Sequence, residues 1–365
     1  MKHMIKFGVV ISMLALLSGC GDSGRVPETS GQDSSIRQSE TVPPASDEAV
    51  FGEANAGGES DAGTEPAADG EASIVYFTSD ISPEGMVAIY EALGWEPAGK
   101  VAVKLSTGEP PASNYLSPEL IKDLVELVDG TIVECNTAYG GSRAETAMHY
   151  QVAEDHGFTA IADFRILDEN GSMSLPVEGG SRLTENLVGA AFGDYDSYLV
   201  LSHFKGHAMA GFGGAIKNIS IGLGSQEGKC LIHTGGTSST SPWGGDQTAF
   251  TESMAEAGKS VSDYLGNGER IVYISVLNNI SIDCDCNGNP AEPDIHDIGI
   301  LASFDPVAID QAGIDLAVAA EGSESLRNRV NDRNGLHTLE HGLLHSPQPS
   351  EPVKRFLAAV QAAMQ

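Results

Sequence analysis

Residues 202–218, SHFKGHAMAGFGGAIKN, gather more potential chemistry than any other stretch of the chain. His203 and His207 flank Lys205, and a glycine-dense turn follows that carries Gly213, Gly214, Lys217 and Asn218. Imidazoles suit zinc, nickel, copper or iron, lysines suit a carboxylate or phosphate, and a glycine turn can cradle an anion on its backbone N–H groups. The segment follows an apolar run, Tyr198, Leu199, Val200 and Leu201, that reads as a buried strand. In open α/β sheets the crevice beyond the strand C-termini is where ligands bind. On a helix, the spacing of His203 and His207 would bring both rings to one face. The glycines at 206, 211, 213 and 214 argue for a loop instead, so convergence depends on the fold.

A second concentration is Asp283-Cys284-Asp285-Cys286, just after another apolar run. A Cys-x-Cys pair can ligate one soft metal or close into a disulfide. Two structural thiols in a loop are the plainer alternative. The neighbouring carboxylates should raise the thiol pKa by like-charge repulsion, which disfavours a free nucleophile and favours metal coordination. His203, His207, Cys284 and Cys286 are therefore candidate ligands, with His233 a further one; the ligand types imply a transition metal without identifying it. His337, His341 and His345 repeat a helical spacing, either as an exposed histidine-rich face or as a ligand set. The zinc-protease pattern is absent, because Glu340 does not directly follow the first histidine. His296 carries little weight alone.

Lys104 closes the run Val101-Ala102-Val103, with Gly108 and Glu109 beyond it. It could bind an anionic group, or pair with its neighbour as such lysines often do. Lys104 and Lys205 are the candidate catalytic residues, and Gly213, Gly214, Lys217 and Asn218 the candidate cofactor-binding set. The turn before Lys217 is not a Walker loop, since no Ser or Thr follows the lysine. No G-x-S-x-G elbow supports a serine triad. Gly140-Gly141-Ser142-Arg143 reads simply as a turn leading into a helix.

The elements that must position these residues alternate along the chain. Residues 74–78, 100–105, 131–135, 159–163, 197–202, 271–276 and 298–302 read as strands. Residues 84–93, 118–128, 143–156, 184–191, 248–265 and 306–319 read as helices. Ser117 and Pro118 combine an N-cap with a first-turn proline, and Gly157 and Gly266 stand where C-terminal glycines should. This alternation predicts a layered α/β fold with a mostly parallel sheet, over residues 74–350. An amphipathic C-terminal helix over 351–365 is expected to pack back on it. There is no internal repeat.

Residues 1–20 read as a lipoprotein export signal. Lys2 and Lys6 precede an apolar core too short to span a bilayer, and Leu17-Ser18-Gly19-Cys20 resembles a bacterial lipobox. Lipidated Cys20 would then anchor the chain to a lipid bilayer in the cell envelope, on the extracytoplasmic side. Gly21 in place of aspartate favours the outer membrane if the source is Gram-negative. Residues 21–73 read as a disordered acidic tether, with twelve acidic residues against two arginines over 21–72. The whole chain carries a net charge of −31, which argues against nucleic acid as a partner. Of five cysteines the lipid would consume one. Cys135, Cys230, Cys284 and Cys286 would remain in an oxidising compartment.

Four stretches in order, VAVKLSTGE (101–109), NTAYGGSR (136–143), the 202–218 segment and DCDCNGNPAEPDIHDIGILASFDPVAID (283–310), resemble the family called domain of unknown function 362. Members are often labelled iron–sulfur centre proteins, and the similarity extends over about 74–345. It implies that Lys104, His203, Lys205, His207, Asp283, Cys284 and Cys286 are shared positions, without supplying roles. Many members carry a ferredoxin-like cysteine insert. Here residues 222–246 hold only Cys230, so no conventional [4Fe–4S] ferredoxin cluster is expected. The reading is a membrane-tethered protein with a metal or metallocofactor site and lysines that hold a small anionic substrate for redox or proton-transfer chemistry. Asp283 and Asp285 would orient the ligands. The alternatives are a non-catalytic solute- or metal-binding lipoprotein and a thiol–disulfide protein.

Overall fold

The computed structural model describes residues 5–8 and 73–345. Of the segment read as an export signal only Ile5–Gly8 is described, as a strand; Cys20, residues 21–72 of the expected tether and residues 346–365 with the expected C-terminal helix lie outside the described residues. In chain order the strands and helices are β1 (Ile5–Gly8), β2 (Ile74–Thr78), α1 (Pro83–Leu93), β3 (Val101–Lys104), α2 (Pro118–Leu127), β4 (Gly130–Glu134) and α3 (Thr146–Asp155). There follow β5 (Phe164–Ile166), β6 (Ser172–Pro176), β7 (Glu185–Gly189), β8 (Ser197–His203), β9 (Lys205–His207), β10 (Gly211–Gly213), α4 (Ala215–Ser220) and α5 (Gln226–His233). The remainder are α6 (Gln247–Tyr264), β11 (Ile271–Leu277), β12 (Gly299–Ser303), α7 (Pro306–Ala319), α8 (Glu324–Asp332) and α9 (His337–His345).

The central sheet has eight strands in the order β1-β2-β12-β11-β8-β3-β4-β5. The run from β11 through β8, β3 and β4 to β5 is parallel, and β1, β2 and β12 close one side antiparallel. A layered α/β fold with a largely parallel sheet is therefore present. Its central strands β3, β8, β11 and β12 are buried on both faces, as strands covered by helices on both sides are. Val101, Val103, Leu199 and Leu201 pack on one side with Ile89, Ile121 and Leu124. Ala102, Tyr198 and Val200 pack on the other with Ile216, Phe250 and Ile309. From β3 the chain proceeds outward through β4 to β5, whereas β8, β11 and β12 extend the other way. The order thus reverses between β3 and β8, and their C-terminal ends, Lys104 and His203, flank the resulting crevice.

Local chemistry sets the element ends. Ser82 and Ser117 accept hydrogen bonds from Gly85 N and Leu120 N, each just ahead of a first-turn proline. Asp305 accepts from Val307 N and Ala308 N at the start of α7. Two expectations fail. The expected helix over 184–191 is absent: Glu185–Gly189 form strand β7, paired antiparallel with β6, and a 3-10 turn starts at Ala190; a short apolar run has too little periodicity to separate the two. Residues 159–163 form a 3-10 turn and bend, with the strand starting only at Phe164. Among the described residues no helix is long and apolar enough to cross a membrane.

The 202–218 segment is a hairpin, not an open loop: β9 pairs with β10, Phe212 opposite Gly206. Gly206 is where another backbone crosses closest. A Cβ there would stand 2.2 Å from the carbonyl oxygen of Ile282. Gly206→Ala must therefore push the 281–286 loop away from β9. An overpacking cost of about 1–3 kcal/mol is expected, read as a lower urea midpoint with an unchanged denaturant slope.

Candidate functional site

The strand ends and β9–β10 enclose a cavity of about 80 Å³ at the β3/β8 reversal. β3 supplies Lys104, β4 supplies Glu134, β8 supplies Ser202 and His203, β9 supplies Lys205 and His207, and α4 supplies Lys217 and Asn218. Lys229 and Arg143 reach it from α5 and from the loop before α3. Four lysines and one arginine thus face two carboxylates, Glu134 and Asp285, inside a chain whose overall charge is strongly negative. The local sign is opposite to the global one.

Asp285 is the hub of one half. One carboxylate oxygen accepts from His203 Nδ1 at 2.9 Å and the other pairs with Lys205 Nζ. Burial pushes this carboxyl up, but Lys205 and His203 outweigh it and hold it well below the usual range. His203 also donates from Nε2 to the carbonyl of Asn278 at 2.6 Å. Both of its ring nitrogens face acceptors, so neither offers a lone pair to a metal. Asp283 points elsewhere: it accepts from Ala291 N and stands 3.8 Å from Arg329. Of the two aspartates expected to orient the site, only Asp285 touches it.

Glu134 organises the other half. It accepts from Thr107 N, Thr107 Oγ1, His149 Nε2 and Arg143 Nη1. Burial raises its carboxyl, and Arg143 and His149 more than reverse that. Arg143, expected to sit in a mere turn, is buried and bridges Glu134, Glu109 and Ser106. Glu134, Arg143, Lys229 and Tyr139 were missed by sequence reasoning. The sequence carries no local signal for them, because the burial that requires Arg143 to be paired is set by the fold.

The lysines differ in what answers them. Lys104 is fully buried and donates only to neutral oxygens, the carbonyl of Leu105 at 2.5 Å and Asn218 Oδ1 at 2.9 Å. Burial brings its pKa down to about 8 despite Glu134 nearby. Lys229 donates to the carbonyl of Gly224. Lys217 makes no hydrogen bond or ion pair among the described residues, and burial together with Lys205 lowers it to about 7. Asn218 is spent on structure: its amide donates to Leu201 O and Ser202 Oγ while its oxygen accepts from Lys104.

The glycine turn does not cradle an anion as expected. Gly213 and Gly214 line the cavity, but the N–H groups of Ala215 and Ile216 are taken by Asp310 at 2.6 and 2.9 Å. A Cβ on Gly214 would stand 2.1 Å from that carboxylate, which explains the glycine. Burial raises Asp310 to about 7.

The ligand atoms of His207, Cys284 and Cys286 lie within 4.8 Å of one another. The two cysteines, however, are joined as a disulfide with their Cα atoms 5.2 Å apart. His207 Nδ1 accepts from Ala210 N at 2.9 Å, and burial drives its pKa well below the ordinary histidine value. A neutral ring with Nδ1 accepting carries its proton on Nε2. His203 and His233 stand outside this cluster. His233 donates from Nδ1 to Lys229 O, packs on Tyr139 and Phe250, and is lowered to about 4 chiefly by burial. His337 and His341 are neither an exposed face nor a ligand set: they tie α9 to α6 through Glu252 and Glu256. His296 is exposed.

Fold and cavity place the chain among layered α/β proteins that carry a cation-lined site at their strand C-termini. It belongs to the family described as domain of unknown function (DUF362), whose model matches residues 101–315, over half of its length. Among curated proteins none matches. Of solved structures, the lactate racemase apoprotein from Thermoanaerobacterium thermosaccharolyticum is similar at 13% identity and a TM-score of 0.40, covering 66% of this chain and 56% of that one. A protein from Thermotoga maritima is similar at 14% identity and 0.40, covering 64% and 57%. The chain therefore spans little more than half the length of these structures.

Asp285→Asn leaves Lys205 buried without its counter-charge, and a loss of about 3–5 kcal/mol is expected in urea unfolding. Because its folded carboxyl lies below the unfolded value of roughly 4, the Asp285 contribution is full above that pH. It is lost as pH falls further, so the acid limb of the stability curve should be flatter in the variant.

Proposed function

We propose that this is an envelope-tethered, extracytoplasmic protein whose switch-point cavity binds a small organic acid or phosphate-type anion. The observation that carries the reading is the excess of cations lining the cavity, with Lys217 in no hydrogen bond or ion pair among the described residues and only Asp285 as a carboxylate acting on it from farther off. Burying an uncompensated ammonium is costly, and an anionic ligand removes that cost. A cavity of about 80 Å³ suits an anion of few atoms; sites for drug-sized ligands occupy about 300–1,000 Å³. The Cys284–Cys286 bridge supports the envelope location, because disulfides persist in oxidising compartments. The lysines that titrate near neutrality, Lys104 and Lys217, also suit proton transfer to or from the bound acid.

A second reading rests on the His207, Cys284 and Cys286 cluster. Reduction of the bridge would expose two thiolates to a soft transition metal. His207 would join them only by giving up the hydrogen bond from Ala210. Elemental analysis of anaerobically reduced protein tests it: metal retained by the native chain and lost in Cys284→Ser is the expected result, and equal metal in both excludes these ligands.

For the anion reading, lactate, pyruvate and phosphate are titrated calorimetrically, with lactamide as the uncharged control. Charged ligands bind and lactamide does not. Lys217→Met weakens binding about 10- to 100-fold, the worth of a charge-assisted hydrogen bond of roughly 1.5–3 kcal/mol. Affinity falls as pH rises through about 7 to 8, where Lys217 and then Lys104 lose their protons. Lactamide binding as well as lactate, or Lys217→Met binding like wild type, would sink the reading.

A further inference from the structure

The cavity treats its cations unequally. Lys205 is neutralised by Asp285, and Arg143 is shared between Glu134 and Glu109. Lys104 hydrogen-bonds only to neutral oxygens, with Glu134 farther off. Lys217 makes no hydrogen bond or ion pair among the described residues, although it lines the same cavity and is half-buried; Asp285, already paired with Lys205, acts on it only at longer range. Its stem is laid along Gly213, where a Cβ would stand 3.0 Å from Lys217 Cδ. An amine without a hydrogen-bond acceptor, set among other cations and partly shielded from solvent, is the environment that turns a lysine into a nucleophile toward carbonyl carbon. The thiol in the same wall does not compete: Cys135 donates to Leu223 O, and burial pushes its pKa up to about 12.

Resting on the anion-site reading above, we propose that Lys217 captures a small 2-oxo acid covalently, its ε-amine condensing with the ligand's carbonyl carbon while Lys104 holds the carboxylate. The amine nitrogen attacks the carbonyl carbon and forms the C–N bond. The carbonyl oxygen then leaves as water, taking both amine hydrogens, and a neutral imine remains, which a further proton from solvent converts to the iminium. Nothing is oxidised or reduced, and no co-reactant is needed. The 2-oxo acids meet both requirements in few atoms: a carboxylate for Lys104 and an adjacent electrophile for Lys217. A 2-hydroxy acid such as lactate meets only the first.

Reductive trapping tests this on the native protein. Pyruvate or glyoxylate is added with sodium cyanoborohydride, which delivers hydride to the imine carbon and fixes it as a secondary amine. Peptide mass mapping is expected to find one dominant adduct, on Lys217, suppressed by excess lactate. Its formation should rise with pH through about 7 as the amine deprotonates among Lys205, Asp285, Arg143 and Lys104. Lys217→Arg should lose the adduct, and Gly213→Ala should reduce it by displacing the lysine stem; circular dichroism establishes that each variant is folded. If lactate and pyruvate raise the melting temperature of the wild-type protein but no adduct forms on Lys217, or adducts spread evenly over the lysines, the imine is overturned and the anion site stands. If neither acid shifts the melting temperature and no adduct forms, both fall together.

Discussion

The carboxylate of Asp285 is the counter-charge on which the site depends. Taking an ammonium and an imidazole out of water costs several kcal/mol per ion unless a partner restores it. One side chain answers both Lys205 and His203. Its position is over-determined. Cys284 and Cys286 bridge on either side of it, its carbonyl accepts from Glu109 N, and Gly206 lets the preceding loop pass close over β9. Glu134 plays the matching part for Arg143 and His149. With two carboxylates in place, a cluster of cations can be built at the C-terminal ends of apolar strands.

Within that frame the polar groups divide by what they already hold. Asp310 closes the N-terminus of α4, Asn218 laces α4 to β3 and β8, and His203 is locked between Asn278 and Asp285. These groups give the cavity its shape and have little left to offer a ligand. Lys217 is the contrast: burial first, and the neighbouring Lys205 second, lower its pKa to about 7. The proposed binding and the proposed reactivity thus draw on the same feature, several cations gathered in a small volume.

Much of the fold was legible because periodicity and caps are local. The apolar runs that became β2, β3, β4, β8, β11 and β12, and the Ser-Pro start of α2, required no knowledge of the rest of the chain. β7 was misread as a helix because five residues carry too little pattern, and only pairing with β6 decided the matter. The site was legible as a set of positions. Lys104, His203, Lys205, His207, Lys217, Asp285 and Cys286 all line one cavity, as their places at strand ends suggested. Arg143 and Lys229 were invisible because nothing local distinguishes a buried cation from an exposed one.

By itself the sequence determined which residue types stand at the strand ends, that the sheet is layered with helices, and that a cysteine pair brackets an aspartate. Those are properties of neighbours along the chain. Tertiary structure decided the roles, because a role depends on which atoms are already satisfied by partners far away in sequence. Both ring nitrogens of His203 face acceptors, Asn278 O and Asp285, the N–H groups of Ala215 and Ile216 went to Asp310, and the two thiols took each other. Lys217 alone of the expected lysines was left without a partner among the described residues. Spacing could not reveal that, since the absence of a partner is a property of the packed cavity.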